Sequence, residues 1–532
     1  MKKFKIIGTC VPEENYMVDI SGKIGQIMQM IHQKDYFVIN RPRQYGKTTT
    51  LSLLEQELLK TQVYLPIRLS FEGIGGRIFT TEERFCKEFI DLLANEIKPQ
   101  DLQYSLLFRE QIDQVSDFKS LSLKLTELIS KSDKKIVLII DEVDKSSDNL
   151  IFLYFLGMLR DKYLKSQEKK DHTFHSVILA GLHDIKTMKM SIYKSFPVSS
   201  QGDASAEEKY NSPWNIAVDF KVEMSFSPVE ISTMLVDYVQ VTGHQMDIPK
   251  VSEKIYFWTN GYPFLVSKLC KIVEEDILPQ RENQNWDASD IDLAANILLK
   301  EINTLFEVFA KNLQNKPELS DFIESVILGK EELTFDLLNP VINFAYMYGM
   351  IRRDENDKIR IHNKIFEERM TNYYISKYNG KYSSVLSKIQ EPYLKKNGRL
   401  DLEKILCKFQ EVIKEKYSSD DVWKSDEFLE NELRMMFLIF LKPIINGMGF
   451  AFKEVQTGAE KRLDIIVVFK DEKFVIELKI WRGDEAHQKG IQQLKRYMQA
   501  ESVNKGYMLI LVKKKEKDFM VERKNGILCV YV

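Results

Sequence analysis

The sequence lacks a strong charge imbalance and a cysteine framework. Its 76 Lys and Arg residues nearly balance 78 Asp and Glu residues, for a formal net charge of −2. No overall positive field therefore indicates nucleic-acid binding, and any such binding must use local patches. The five cysteines lie far apart, without a CxxC pair or a Cys/His cluster. This spacing argues against structural zinc and favours a reducing compartment.

Long hydrophobic runs are also missing. The most apolar stretch, Met435 to Ile445, is interrupted by Lys442 and Pro443, and it has about half the length that a membrane span needs. The basic start of the chain is not followed by the apolar core of a signal peptide. We therefore expect a soluble, cytoplasmic protein without a membrane partner.

The length of 532 residues corresponds to about three or four domains. Apolar strands alternate with amphipathic helices up to about residue 230, and this alternation predicts an α/β domain with a parallel sheet. The helical region that follows contains a strand, a polar turn and a second strand at 350–361, which is typical of a winged helix. We expect four parts: an α/β domain at 1–230, a helical lid and winged-helix-like module at 231–375, a helical connector at 376–425, and a second α/β domain at 426–532.

The first α/β domain should contain five strands. Ile136 to Ile140 is an uninterrupted apolar run, typical of a strand that is buried on both faces of a sheet. Two helices are expected between the predicted strand that ends at Leu69 and this run. A further helix is expected from Thr48 to Lys60. The other predicted strands are Tyr36–Ile39, Tyr64–Leu69, Ser176–Ala180 and Val222–Phe226.

A candidate phosphate loop lies between the first strand and its helix. In the pattern GxxxxGK[ST], backbone amides wrap phosphates, the lysine reaches the terminal phosphates and the hydroxyl binds magnesium. Gly46, Lys47 and Thr48 match this pattern, whereas Arg41 replaces the first glycine, so the loop must start differently. A chance match is the alternative, but the strand before the motif and the helix after it favour a nucleotide site.

A second acidic motif supports this interpretation. Asp141 and Glu142 follow the buried strand Ile136 to Ile140, where unpaired carboxylates would be costly. Asp141 would hold magnesium through water, and Glu142 would activate the attacking water. A solvated strand end is the alternative, and it suits Glu142 alone better than the pair.

Residues from about 10 to 375 resemble the AAA-like ATPases, which are related to the STAND class of signalling ATPases. The matching segments are Tyr16-Met17-Val18-Asp19, Arg41-Pro42-Arg43-Gln44-Tyr45-Gly46-Lys47-Thr48, Asp141-Glu142-Val143-Asp144-Lys145 and Gly261-Tyr262-Pro263. Arginine is common in that group in place of the first glycine. The resemblance implies a P-loop NTPase sheet, ATP as the ligand and a nucleotide site with Arg43, Gly46, Lys47, Thr48, Thr49, Asp141 and Pro263.

Two further positions are less defined by the resemblance. Pro263 would pack near the adenine, although a proline at a helix start has the same appearance. The sensor of the γ-phosphate would be His183 or Asp184, although a polar pair in a loop is an equally good reading.

A candidate metal site lies near the C-terminal end of the sequence. Asp464 precedes one apolar strand, and Glu477 and Lys479 lie in the next strand of a predicted hairpin. Strand alternation places Glu477 and Lys479 on one face. Two-metal nucleases hold magnesium with clustered carboxylates, and a nearby lysine stabilises charge on the phosphate.

Residues from about 425 to 532 resemble the PD-(D/E)xK nuclease superfamily. Asp464 matches its aspartate, Glu477-Leu478-Lys479 its ExK motif, and Gln493 and Tyr497 its QxxxY motif on the next helix. The resemblance implies metal binding by Asp464 and Glu477 and catalytic roles for Glu477, Lys479 and Gln493. The preceding helix would add Glu432, favoured over Glu430, as a further metal ligand.

Two alternatives remain for this region: a surface Glu/Lys pair on an amphipathic hairpin, and a folded but inactive nuclease domain. Several basic residues could assist binding to a phosphate backbone, although surface charges are usually only solvated. They are Lys461, Arg462, Lys479, Arg482 and Lys489.

The combined expectation is an ATPase, with Glu142 as its catalytic residue, whose nucleotide state controls a C-terminal nuclease. Its cofactors would be ATP and Mg²⁺, with Mn²⁺ as an alternative metal at the nuclease site. Nucleic acid, with DNA favoured, a homo-oligomer partner and an unidentified activating ligand or protein are the expected partners. Defence against phage or mobile DNA is inferred from resemblance alone. The alternatives are an ATP-dependent regulatory switch and a nucleotide-binding scaffold, each with a non-cleaving C-terminal domain.

Overall fold

The computed structural model describes most of the chain in two compact units. The first unit comprises Met1–Ala294 and Phe344–Gly349, and the second comprises Ala295–Asn343 and Met350–Val532. The described residues are 2–71, 76–143, 149–182, 214–328, 333–378, 393–416, 426–445, 449–452, 465–469, 472–500, 503–512, 519–524 and 526–532.

The first unit is built on a four-stranded parallel sheet. Its strands are β1 (Tyr36–Asn40), β2 (Tyr64–Ser70), β3 (Lys135–Asp141) and β4 (Ser176–Gly181), in the order β1-β4-β3-β2. These strands confirm four of the five that the apolar runs predicted. Parallel pairing brings the carboxyl ends of β1 and β3 to the same edge of the sheet, where the two predicted motifs lie.

The prediction of a fifth strand at Val222–Phe226 was wrong, because these residues, which the structure describes, do not form a strand. Within the described residues, a single parallel bridge, Phe37 to Val218, extends the sheet beyond β1. The reason is that backbone groups of the expected strand bond elsewhere. The Val222 carbonyl accepts from the Arg41 side chain at 3.0 Å, and the Phe226 N–H donates to the Gly261 carbonyl at 2.8 Å.

Three α-helices, not the two expected, separate β2 from β3. Each begins at a side chain that accepts from the helix N-terminus, Thr81, Asp101 and Asp117, respectively, and Asp117 forms a capping box. Their apolar faces cover one side of the sheet, so the core lies between sheet and helices. The helices around this sheet are α1 (Ser21–His32), α2 (Lys47–Lys60), α3 (Glu82–Ile97), α4 (Leu102–Arg109), α5 (Phe118–Ser130) and α6 (Leu150–Gln167).

A helical region completes the first unit. Ser227 and Glu230 form a capping box at its start, and Gly243 ends the first helix at φ +75°. A π-helical turn at Val273–Ile277 continues the third helix. The helices are α7 (Pro228–Thr242), α8 (Ile248–Thr259), α9 (Pro263–Ile272) and α10 (Ala288–Lys300), the last of which crosses the boundary between the units.

The second unit begins with helices and a short antiparallel hairpin. The hairpin pairs Ile351 with Ile361 and Arg353 with Ile359, which confirms the strand–turn–strand segment predicted at 350–361. Its elements are α11 (Thr304–Asn315), α12 (Pro317–Leu328), the first half of α13 (Pro340–Met347), β5 (Ile351–Arg353), β6 (Ile359–Ile361) and α14 (Lys364–Tyr378). The second half of α13, from Phe344, belongs to the first unit.

The rest of the second unit contains a six-stranded mixed sheet among its described residues. Its strands lie in the order Val521–Lys524, Ile527–Tyr531, Gly506–Leu511, Glu472–Ile480, Ile465–Phe469 and Gly449–Phe452. The strands Val521–Lys524 and Ile527–Tyr531 of this sheet are antiparallel neighbours, and Gly526, at φ +81°, lies between them, where its backbone conformation allows the chain to turn back. The elements are α15 (Leu402–Lys416), α16 (Asp426–Ile445), β7 (Gly449–Phe452), β8 (Ile465–Phe469), β9 (Glu472–Ile480), α17 (Asp484–Ala500), β10 (Gly506–Leu511), β11 (Val521–Lys524) and β12 (Ile527–Tyr531).

Among the described helices, none combines the length and the apolar character that crossing a bilayer requires.

Candidate functional site

The phosphate loop connects β1 to α2. Gln44 and Gly46 both adopt left-handed backbone conformations, at φ +58° and +77°, and α2 begins at the next residue, Lys47. A side chain at Gly46 would have space, because an added Cβ would lie 3.8 Å from Pro263. The glycine is therefore favoured by its backbone conformation and not by crowding.

Arg41, which replaces the first glycine of the standard pattern, is a structural part of the loop. Its guanidinium donates to the carbonyls of Asn40 at 2.9 Å and Val222 at 3.0 Å. It also lies over the Phe220 ring, 5.3 Å from the centroid. The Arg41 side chain therefore stabilises the start of the loop through contacts that a glycine at this position could not make.

Lys47 is buried against its own loop. Its ammonium donates to the Arg41 carbonyl at 2.9 Å and to the Pro42 carbonyl at 3.0 Å, and the residue is 8% exposed. A buried ammonium needs such acceptors, since its desolvation is otherwise costly. Phosphate oxygens could replace these two carbonyls as stronger, charged acceptors.

The structure brings Thr48 and Asp141 together. The Thr48 hydroxyl donates to the Asp141 carboxylate at 3.1 Å, and Asp141 is buried at the end of β3. The same carboxylate accepts from the Glu142 N–H at 2.9 Å, and Glu142 adopts φ +56°, an unusual conformation for this residue type. A hydroxyl beside a buried carboxylate is a ligand pair that suits magnesium next to a nucleotide.

The Gly-Tyr-Pro segment contacts the phosphate loop. A Cβ on Gly261 would lie 2.0 Å from the Phe226 carbonyl oxygen, so only glycine fits there. The Tyr262 hydroxyl donates to the Arg43 carbonyl at 2.6 Å, and burial raises its pKa far above the usual range, which keeps it protonated as a donor. Pro263 is the first residue of α9 and also lies next to Gly46. It is therefore both a helix-start proline and a neighbour of the phosphate loop.

Tyr45 was not singled out from the sequence. Its ring meets the Tyr262 ring edge-on at 4.7 Å, and its hydroxyl lies 2.5 Å from the Ser225 hydroxyl. Both tyrosines stand within motifs that the sequence analysis identified, and this was the available signal for Tyr45. The spacing of the motifs in the sequence does not reveal that the two rings are in contact.

A cleft of about 490 Å³ opens beside the loop, within the size range of small-molecule sites. Its wall includes Tyr16, Met17 and Val18, which belong to a segment that carries the ATPase resemblance. Cys10, which was not a predicted site residue, also lines the cleft, and its N–H donates to the Thr49 hydroxyl at 3.2 Å. The predicted residues that line the cleft are Arg43, Gly46, Lys47, Thr48, Thr49, Glu142 and Pro263.

Asp141 lines a second cavity of about 290 Å³ together with Thr48 and Glu142. Glu55 also lines it, 3.5 Å from Arg68, and burial raises the pKa of the Glu55 carboxyl. The predicted phosphate sensors, His183 and Asp184, lie outside the described residues.

In the second unit, Glu477 is a fully buried carboxylate in β9. The Lys479 ammonium lies 2.7 Å from its Oε1 atom, and the Lys479 side chain is 37% exposed. The two residues share a strand face, as alternation predicted. Removing such a carboxylate from water is costly, and the Lys479 ammonium offsets part of this cost.

Helix α17 lies close to the Glu477–Lys479 strand. A Cβ on Gly490 would come within 3.8 Å of Lys479 Cγ and 3.4 Å of Met508 Cε, and Met508 pairs with Glu477 in the sheet. Further along the helix, the Gln493 amide donates to the Tyr497 hydroxyl at 3.2 Å. The i, i+4 spacing had predicted that these two residues share a helix face.

Asp464 lies outside the described residues, as do the side chains of Glu430 and Glu432. In the described part of the chain, no group of three or more His, Cys, Asp or Glu residues is arranged to hold a metal ion.

Comparison with known proteins gives limited matches. Residues 401–515 match a family described as a domain of unknown function, DUF8371. No curated protein matches the chain significantly in sequence.

The chain has low structural similarity to several proteins of known structure. A Walker-type ATPase of Pyrococcus abyssi matches with a TM-score of 0.46 and 11% identity, over 69% of this chain and 99% of that chain. The ORC2 protein of Aeropyrum pernix matches with a TM-score of 0.37 and 10% identity, over 68% and 93% of the two chains. The RuvB branch migration motor of Thermotoga maritima matches with a TM-score of 0.31 and 12% identity, over 64% and 92%.

The four-stranded parallel sheet carries the glycine–lysine–threonine loop after β1 and a buried aspartate at the end of β3, and Thr48 joins the two. The first unit therefore has the α/β fold of a P-loop ATPase.

Proposed function

We propose that the first unit binds ATP with Mg²⁺ and hydrolyses it. The hydrogen bond from Thr48 to Asp141, 3.1 Å long, is the observation that carries this proposal, because it joins the residue after the loop lysine to a buried strand end. Magnesium bound beside these oxygens would neutralise phosphate charge. Lys47 would exchange its two loop carbonyls for terminal phosphate oxygens, and Glu142 would orient and deprotonate the attacking water.

Nucleotide titration tests this proposal. Lys47→Ala should weaken the binding of a fluorescent ATP analogue by about tenfold or more, since a hydrogen bond to a charged group contributes about 1.5–3 kcal/mol. Lys60→Ala, at the exposed end of the same helix, is the matched control and should bind normally. Glu142→Gln should bind ATP but release no phosphate. Normal binding by Lys47→Ala would contradict the proposal.

We also propose that the nucleotide state controls a magnesium-dependent nuclease in the C-terminal region. The fully buried Glu477 beside the partly exposed Lys479 supports this reading, because a buried strand carboxylate suits a metal. Asp464 directly precedes Ile465, and Glu477 directly follows Ile476, the sheet partner of Ile465. In this proposal Asp464, Glu477 and Glu432 hold the metal, Lys479 stabilises phosphate charge and Gln493 assists.

This proposal extends to domain organisation and partners. The four-part division at 1–230, 231–375, 376–425 and 426–532 is retained, with a winged-helix-like module around β5 and β6 and a PD-(D/E)xK nuclease-like domain last. Nucleic acid, with DNA favoured, would be the substrate, and the protein would form homo-oligomers and respond to an activating ligand or protein. Defence against phage or mobile DNA is the biological role that we propose.

One observation favours a second candidate function. Because Lys479 already contacts the Glu477 carboxylate, the pair could neutralise itself without metal, as in an ATP-dependent switch or scaffold with a non-cleaving C-terminal domain. Metal-dependent cleavage separates the two candidates.

The cleavage experiment uses plasmid DNA and Mg²⁺, with and without ATP. Asp464→Ala and Lys479→Ala should abolish cutting and spare ATP binding, whereas Lys47→Ala should abolish ATP control. Lys473→Ala, on the exposed part of the same strand, is the control and should cut normally. Cutting by Asp464→Ala would show that the site is assigned wrongly, and no cutting by the ATP-bound wild type would favour the switch.

A further inference from the structure

A six-residue segment of the chain belongs to the first unit although the residues before and after it belong to the second. This segment is Phe344–Gly349, which ends α13 and leads to β5. It returns to the second unit at Met350, whose carbonyl accepts from the His362 N–H at 2.9 Å at the base of the β5–β6 hairpin. The segment is therefore connected covalently to an ordered hairpin one residue away.

Gly349 approaches the phosphate loop closely. It adopts φ +70°, and a Cβ built on it would lie 2.8 Å from Pro42 Cγ, 3.0 Å from Pro42 Cβ and 3.5 Å from the Tyr262 ring. Distances below 3.0 Å force something to move, and the proline ring is not a flexible side-chain end. Both the backbone conformation and the close approach thus call for glycine.

The part of the loop that Gly349 touches is held at three successive carbonyls. Lys47 donates to the carbonyls of Arg41 and Pro42, and Tyr262 donates to that of Arg43. If phosphates take the Lys47 ammonium, two of these three carbonyls lose their donor. Pro42, which lies against Gly349, is one of the two.

We propose that Gly349 is a positioning residue for the phosphate loop and that its segment passes the nucleotide state to the β5–β6 hairpin. The inference rests on the proposed nucleotide binding by Lys47. When Lys47 turns from the Pro42 carbonyl to phosphate, Pro42 shifts against Gly349. Because Gly349 and Met350 are consecutive, the shift reaches the hairpin through the backbone.

The first test compares two glycine substitutions that impose similar backbone strain. Gly349→Ala places its methyl group against Pro42, whereas Gly243 has φ +75° and nothing within 4 Å of an added Cβ. Gly349→Ala should weaken ATP-analogue binding at least fivefold, and Gly243→Ala should leave it within twofold of the wild type. Adding Pro42→Gly, which removes the two atoms nearest to the new methyl group, should restore affinity to the Gly349→Ala protein. Equal effects of the two alanine substitutions would overturn the positioning role.

The second test measures amide hydrogen exchange at 350–362 in the full-length protein, with and without Mg²⁺–ATP. The wild type should show a nucleotide-dependent change in this segment, and Pro42→Gly, which removes the contact without adding bulk, should lose that change. Wild-type protein that binds ATP without any change at 350–362 would overturn the relay but leave the nucleotide site intact. Wild-type protein that does not bind ATP would overturn both the relay and the proposed ATPase function.

Discussion

The Thr48 hydroxyl donates to the Asp141 carboxylate across 3.1 Å and so connects the first turn of α2 to the buried end of β3. Sequence distance separates these residues widely, but parallel pairing brings the ends of β1 and β3 to one edge of the sheet. The contact aligns a hydroxyl and a carboxylate beside the loop lysine, and it predicts how nucleotide affinity depends on magnesium.

Thr48→Val removes the hydroxyl and keeps the side-chain volume. We expect it to reduce the gain in ATP affinity that Mg²⁺ provides by about tenfold, corresponding to about 1.4 kcal/mol, because one oxygen ligand is lost. Thr48→Ser keeps the hydroxyl and should retain most of the gain. Isothermal titration with Mg²⁺ and with EDTA measures both, and equal magnesium dependence in Thr48→Val and the wild type would contradict the assignment.

Gly261→Ala should destabilise the first unit by about 3 kcal/mol, because the methyl group would overlap the Phe226 carbonyl in a backbone conformation at φ +71°. Gly157→Ala is the matched control. Gly157 lies in α6 with nothing within 4 Å of an added Cβ, so alanine should be neutral or stabilising by about 0.5–1 kcal/mol. Urea unfolding measures both changes, and a Gly261→Ala protein as stable as wild type would show that the close approach is wrong.

His362 should make the second unit sensitive to acid. Burial, with a smaller contribution from Arg352, lowers its pKa from 6.5 to about 3. The folded protein therefore keeps His362 neutral while the unfolded chain takes up a proton below pH 6.5. The free energy of unfolding should fall as the pH decreases from 6.5 towards 3, by about 1.4 kcal/mol per pH unit over most of this range.

The measurement is urea unfolding between pH 7.5 and 4.5. His362→Gln should reduce the slope of stability against pH, whatever its effect on stability at pH 7.5. His172→Asn, at an exposed position, should leave the slope unchanged. An unaltered slope in His362→Gln would exclude His362 as its source.

Lys479→Met should destabilise the second unit by about 3 kcal/mol, because the fully buried Glu477 carboxylate would lose the ammonium at 2.7 Å. If Glu477 is a metal ligand, Mg²⁺ or Mn²⁺ should raise the Tm of this variant, since a ligand that binds only the folded state stabilises it. Lys479→Met combined with Glu477→Gln should show no such rise. An identical metal response in both proteins would argue that Glu477 does not bind metal.

Local motifs made much of the first unit predictable. The apolar runs identified four strands, and the Gly46-Lys47-Thr48 and Asp141-Glu142 motifs identified the edge where a nucleotide would bind. The fifth predicted strand, Val222–Phe226, does not form, because Arg41 and Gly261 bond to the backbone of this segment. Such competition for hydrogen bonds depends on residues distant in sequence, and strand propensity does not include it.

The second unit was predictable in its hairpin and in the alternation of Glu477 and Lys479, because a period of two is a property of any strand. The third strand after α17 was not, since the β11–β12 hairpin depends on a single positive-φ glycine, Gly526. Glycine occurs in many settings, and its presence alone does not select a turn.

The sequence by itself determined most of the elements and the chemical groups at their ends, because hydrophobic periodicity and short motifs are local properties of the chain. Only the tertiary structure decided which of these groups meet. The contact of Gly349 with Pro42 and the donation from Tyr262 to Arg43 join segments that are far apart in the chain. Contacts of this kind arise from the packing of whole elements, which no single stretch of sequence specifies.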